Sequence, residues 1–285
     1  MLLINKINKR QVFQALILTL LVSCSGNSWV ERLPKPWTLS QDEISKILVQ
    51  FHKHYPDFQD RLKAFIIWRT GKPYELYSLG EEQEPDQDPI IRLDVSDCTV
   101  HVLTSLAFAQ SDSWAAAREV MIRIHYKPGP GGEFIPAYLR RWHYTSDRLL
   151  NNPYTKNITE ELFPLKQLET VDIVLNQKQD GTPFLDLDWE NQTVIKYIPN
   201  RMITKDLLHR LPPVCGVAFV KKAWFKLGLV IAHEGIIVDN KNIVHASSEF
   251  GQTVHSDFIN YYYRDSGPLF DGIMLFTFHE IDEGG

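Results

Sequence analysis

Three residues of this 285-residue chain have the types and settings that nucleophilic catalysis requires. Cys98 directly follows Asp97 and opens a stretch, Thr99 to Ala109, whose apolar positions Val102, Leu103, Leu106 and Ala109 fall on one helical face. At a helix N-terminus, unsatisfied N–H groups and the macrodipole favour a thiolate over a thiol, so Cys98 reads as a nucleophile in its ionised form. Such a nucleophile needs an imidazole to share its proton and a third group to hold that imidazole. The chain has ten histidines. His233 lies in the apolar run Leu229 to Val238, which suits a buried central strand. His245 lies in Ile243 to Ser247, just beyond the turn-like Asp239-Asn240-Lys241-Asn242. The plain alternatives are a small core residue for Cys98, a satisfied core histidine for His233 and a hairpin-end residue for His245.

Register decides whether the two imidazoles meet, because side chains alternate faces along a strand. A hairpin with an odd loop, for example one pairing Val238 with Asn242, sets Gly235 opposite His245 and His233 opposite Ser247. The two rings are then diagonal neighbours on one face. An even loop puts them on opposite faces and dissolves the triad.

Further elements must carry this constellation. Ser40-Gln41-Asp42-Glu43 resembles a helix start, and Ile44, Ile47, Leu48 and Phe51 recur behind it at helical spacing. A second helix is expected over Asp60 to Trp68, ended by Gly71 and Pro73. Glu81 to Pro89, acidic and without an apolar residue, reads as a surface loop. Ser96 or Asp97 is the natural cap of the helix that follows. After the Gly129 to Gly132 turn, strands are expected at Val171 to Leu175, Thr193 to Tyr197, Val214 to Val220, Gly228 to Val238, Ile243 to His245 and Gly272 to Phe278. Helices early and strands late make an α+β domain. No linker rich in Gly, Ser or Pro interrupts the chain after residue 40, so residues 41–285 read as a single domain with a helical N-terminal part.

Composition narrows the classes. A chain that is 44% hydrophobic and 12% aromatic builds a core and is neither disordered nor collagen-like, and it shows no repeat of solenoid or propeller length. Lys plus Arg numbers 30 against 35 acidic residues, a balance of −5, and Lys221, Lys222 and Lys226 around Trp224 read as a solvated face. A nucleic-acid footprint is missing. Residues 1–23 read as an export signal, with basic Lys6, Lys9 and Arg10 ahead of an apolar run, Val12 to Val22, about half the ~20 residues a spanning helix needs. Leu21-Val22-Ser23-Cys24 resembles the lipobox of bacterial lipoproteins, which implies lipidation at Cys24, a tether over 24–40 and a place at the periplasmic face of the envelope, on the outer membrane by Ser25. Cleavage removes three basic residues and no acid, so acyl chains rather than attraction to anionic lipid would hold the chain at a membrane. Cys98 and Cys215 then remain as thiols, and one disulfide between them stays open at this level.

Gly71-Lys72-Pro73-Tyr74, Leu79-Gly80-Glu81, Arg92-Leu93-Asp94, Asp97-Cys98-Thr99, Arg141-Trp142-His143-Tyr144, His233-Glu234-Gly235 and His245-Ala246-Ser247 come in an order that resembles the bacterial N-acetylmuramoyl-L-alanine amidase-like family. That family is similar to the NlpC-type, papain-like cell-wall hydrolases. The resemblance implies a papain-like antiparallel sheet, a nucleophile at a helix N-terminus and a peptidoglycan amide as substrate, with no cofactor. By it Cys98 is the nucleophile, His233 the base and His245 the residue that orients it, while Asp97, Arg141 and His143 match positions for substrate contact. Family members commonly have His-Val-Gly where this chain has His233-Glu234-Gly235. Three rivals are a zinc amidase using His233 and His245, a lipid-tethered module that only binds cell-wall peptides, and a papain-like acyltransferase. A second His at zincin spacing is absent after His233-Glu234, and Pro213-Val214-Cys215-Gly216 lacks the second Cys of a deaminase-type zinc site.

Overall fold

The helix expected behind Ser40 forms as α1 (Gln41–His54), and a capping box fixes its start. The Ser40 hydroxyl accepts from the Glu43 N–H, and the Glu43 carboxylate accepts from the Ser40 N–H at 2.8 Å. Its buried face is Ile44, Ile47, Leu48 and Phe51, the four residues that the periodicity marks. Asp57 caps α2 (Phe58–Trp68). Asp97 caps α3 (Cys98–Ala109), which is buried continuously from Val100 to Ala109 and not along one stripe only. A helix apolar all round is enclosed on all sides, and α1, α2 and α4 (Trp114–His125) enclose this one together with the sheet. Neither α4 nor α5 (Thr145–Asn151) is among the elements expected from sequence.

The computed structural model describes residues 28–281, so the expected export signal and Cys24 lie outside the described residues. The chain divides into two units, Met1–Pro34, in which Ser28–Arg32 is helical, and Lys35–Gly285, which holds every element labelled here. No helix among the described residues is long and apolar enough to cross a membrane.

The strands are β1 (Thr155–Asn157), β2 (Glu169–Leu175), β3 (Asn191–Pro199), β4 (Val214–Val220), β5 (Ile231–Val238), β6 (Asn242–Ser247), β7 (Gln252–Asp257), β8 (Tyr263–Arg264), β9 (Gly267–Pro268) and β10 (Gly272–Phe278). All but β8 and β9 join one antiparallel sheet in the order β2-β3-β10-β4-β5-β6-β7, with β1 also on β10. The α+β class with an antiparallel sheet is therefore as the sequence predicts. Strands β4 and β10 have the bounds of their apolar runs. Strand β7, Gln-Thr-Val-His-Ser-Asp, is polar at every position but Val254 and so presents no apolar run.

Alternation sorts the two faces of the sheet. Cys215, Val217 and Phe219 of β4, Ile237 of β5 and Ile273 and Leu275 of β10 join Leu207, Leu208, Phe258 and Tyr262 in one core. On the opposite face α3 packs against β5 and β6. The acidic stretch Glu81 to Pro89 departs from the surface loop expected of it at one end. Glu81 is 3% exposed, because its carboxylate receives Arg141 Nη2 at 2.6 Å, a partner sixty residues away that local composition does not reveal.

Candidate active site

Strands β5 and β6 pair Val238 with Asn242, Ile237 with Ile243 and Ile236 with Val244. The loop is Asp239-Asn240-Lys241, and Asp239 and Asn240 adopt positive φ of 55° and 53°, which Asn and Asp tolerate better than most residues. This odd loop brings the two imidazoles together, with His233 Nε2 2.9 Å from His245 Nδ1. The ladder stops at Ile236–Val244, so the strands part just where the rings meet. Gly235 makes the approach feasible, since a Cβ there would fall 2.9 Å from the Cβ of His245.

Cys98 is the first residue of α3 and half-buried. It lies near the backbone of Glu234, the residue next to His233, and near Thr99. Tyr261, from the short helix Phe258–Tyr262, stands near the thiol, with its ring centroid 4.3 Å from that of His245. The sequence carried no sign of Tyr261, because it reaches the site from a turn well beyond the hairpin.

Burial and neighbouring charge oppose the pull of the helix N-terminus on Cys98. Burial pushes the Cys98 thiol well above its ordinary range, and the Asp97 and Glu234 carboxylates push it further. Asp97 occupies the pole of the helix, accepting the Val100 N–H at 2.8 Å and the Tyr77 N–H at 3.1 Å, and its charge opposes the dipole beside the sulfur. Burial, with the neighbouring His245, lowers His233 to about 3. Burial likewise lowers His245 to about 4, against a bond to the Ala246 backbone that raises it. Burial thus favours the neutral forms of the Cys98 thiol and of both imidazoles.

Glu234, fully buried, turns to the helical side of the sheet. Its Oε1 accepts from Thr99 Oγ1 at 3.0 Å and from Thr145 Oγ1 at 3.4 Å, and its Oε2 accepts from Arg148 Nη2 at 2.5 Å. Arg148 is only 1% exposed. Neither Arg148 nor this pairing was marked by any motif.

Arg141 and His143 are engaged elsewhere. Arg141 gives its guanidinium to Glu81 and to Asp86, the latter at 3.0 Å, and His143 Nε2 lies 2.7 Å from the Tyr138 carbonyl oxygen. These bonds tie the Glu81 loop and the Tyr138 turn together. Cys98 and Cys215 are both free, and Cys215 is enclosed in β4 with its Sγ 3.6 Å from the Phe276 carbonyl oxygen. Among the described residues no three His, Cys, Asp or Glu side chains converge as a metal site.

A family model described as AmiA-like, N-acetylmuramoyl-L-alanine amidase-like, matches residues 67–267, a span that includes Cys98, His233 and His245. A crystal structure of a Legionella pneumophila protein shares 22% identity and superposes with a TM-score of 0.67, over 84% of this chain and 94% of that one. A crystal structure of an N-acetylmuramoyl-L-alanine amidase from Bacteroides uniformis shares 20% identity with a TM-score of 0.59, over 78% of this chain and 99% of that one. At these identities the likeness is one of fold. No curated protein matches the chain.

Proposed function

Because the chain belongs to the N-acetylmuramoyl-L-alanine amidase-like family, we propose that it is a peptidoglycan hydrolase that cleaves an amide bond by a Cys98-His233-His245 thiol mechanism on a papain-like scaffold. The observation that carries the reading is the 2.9 Å bond between His233 Nε2 and His245 Nδ1 in the hairpin beside Cys98. With Nε2 so engaged, Nδ1 of His233 is the nitrogen left to take the thiol proton, and His245 fixes the tautomer and the ring plane.

Proton transfer accompanies attack, because thiol and imidazole are both neutral at rest. The Cys98 proton passes to His233 Nδ1 as sulfur bonds to the amide carbonyl carbon. N–H groups at the start of α3 hold the oxyanion. The tetrahedral adduct then collapses, the C–N bond breaks, and His233 returns the proton to the leaving amine. Water releases the acyl group from sulfur by the same path. Cleavage at the lactyl amide makes the chain an amidase, and cleavage within the stem makes it an endopeptidase. Lipidation at Cys24 would tether this activity to the envelope, which intact-mass analysis of the mature N-terminus tests.

Purified peptidoglycan incubated with wild type, Cys98→Ala and an EDTA-treated sample, followed by mass spectrometry of the muropeptides, tests the mechanism. Free stem peptides from the wild type and EDTA samples, and none from Cys98→Ala, are expected. Release by Cys98→Ala overturns the thiol mechanism, and release abolished by EDTA transfers the chemistry to a metal. No release at all leaves a module that binds cell-wall peptides without cutting them.

A further inference from the structure

We infer that Glu234 is a positioning residue, which locks the first turn of α3, and with it Cys98, to the strand that carries His233. The inference rests on the thiol reading above, since it concerns the distance between that nucleophile and that base.

Glu234 meets the nucleophile's helix through its carboxylate, whose Oε1 accepts from the Thr99 hydroxyl at 3.0 Å, one residue along α3 from Cys98. The same carboxylate is held from a third element, by Arg148 at 2.5 Å and Thr145 at 3.4 Å on α5. Helix α5 is itself anchored, because the buried Asp147 receives Lys127 Nζ at 2.7 Å. One side chain therefore ties α3, β5 and α5 together within a residue of both reacting groups.

Energetics argue for geometry rather than stability as the use of this pair. Both partners are out of solvent, and Arg148 Nη1 is left without a partner. A buried ion pair is frequently no more stabilising than apolar side chains of the same volume, since the desolvation penalty cancels most of the attraction. Its directional bonds, in contrast, fix separations to tenths of an ångström. The carboxylate also adds negative charge beside the thiol, a cost to thiolate formation that an apolar residue would avoid. Opposite effects on alignment and on acidity give the inference a distinctive signature.

Turnover of soluble muropeptides and the rate of iodoacetamide alkylation of Cys98 at pH 8 are measured on folded Glu234→Gln, Thr99→Val and Thr99→Ser, with Cys98→Ala as control. Misplacement of the sulfur predicts a kcat lower by ~10- to 100-fold in Glu234→Gln and Thr99→Val, with KM nearly unchanged. Alkylation of Glu234→Gln is expected to be faster than wild type while its turnover is slower. Thr99→Ser, which keeps the hydroxyl, recovers the turnover that Thr99→Val loses. A wild-type kcat in folded Thr99→Val overturns the inference, as does slow turnover in Thr99→Val and Thr99→Ser alike. If Glu234→Gln does not fold, the two Thr99 variants decide alone. Turnover by Cys98→Ala, or none by wild type, instead overturns the reading on which the inference rests.

Discussion

The Cβ that Gly235 lacks would stand 2.9 Å from the Cβ of His245 and 3.2 Å from the Val244 carbonyl oxygen. Neither neighbour is the far end of a flexible chain, so nothing yields without moving β6. Gly235→Ala is expected to destabilise the fold by about 1–3 kcal/mol, the usual cost of overpacking. It also pushes His245 away from His233, so turnover falls more than the stability loss explains. Urea unfolding together with turnover of the folded fraction checks both.

In the proposed mechanism His245 Nδ1 accepts from His233 Nε2–H and so holds His233 in the productive tautomer. His245→Ala is expected to lower kcat by about 10²–10⁴-fold, the range associated with a lost base orientation. His245→Asn keeps a side-chain acceptor and should retain more activity than His245→Ala. Single-turnover kinetics on muropeptides distinguish the two.

Cys98 is held protonated by burial and by the Asp97 and Glu234 carboxylates. Its alkylation by iodoacetamide is therefore expected to be slower in the native protein than in urea at pH 8, and to climb only as pH rises further. Thiol loss followed by intact-mass spectrometry reads this directly. Native alkylation that is complete and fast at pH 6 contradicts the neutral resting site.

Burial lowers several histidines of the native core below the ordinary range of about 6.5: His233 to about 3, His143 and His245 to about 4, and His101 and His125 well below that range. Their unfolded forms bind protons first as pH falls. The stability they contribute is whole above about pH 6.5 and declines as pH drops through that value toward 4. Denaturant midpoints at pH 7.5 and pH 5 test the sign, with the lower midpoint expected at pH 5. Asp94, lowered to about 2 chiefly by its hydrogen bonds from Arg92, adds its own loss once the pH falls below about 4.

Local features were legible in the sequence. The Ser40–Glu43 cap and the helix opening at Cys98 each depend on residues within a few positions of one another, and the hairpin is legible as a choice between an odd and an even loop, of which the odd one forms. The hairpin was the most informative, because one register fixes which histidines meet. Contacts between distant segments were not legible. Glu234 reads as one polar residue in an apolar strand until Arg148, 86 positions away, and Thr99, 135 away, are seen to close on its carboxylate. Glu81 was assigned to solvent for the same reason, since Arg141 lies 60 residues on. The pull of the helix N-terminus on Cys98 is opposed first by burial and then by the Asp97 carboxylate at the same pole, and the helix pattern shows neither.

Asp97 at that pole has a consequence for the lifetime of the protein. Peroxides and disulfides react with thiolate and scarcely with thiol. On the thiol mechanism proposed above, a sulfur held protonated at rest is poorly oxidised between turnovers. Cys215, the other described thiol, is enclosed in the sheet and free, so Cys98 has no resolving partner among the described residues that would return it from sulfenic acid. Burial first, and the Asp97 carboxylate at the cap of α3 after it, would thus shield a nucleophile that no described thiol can repair.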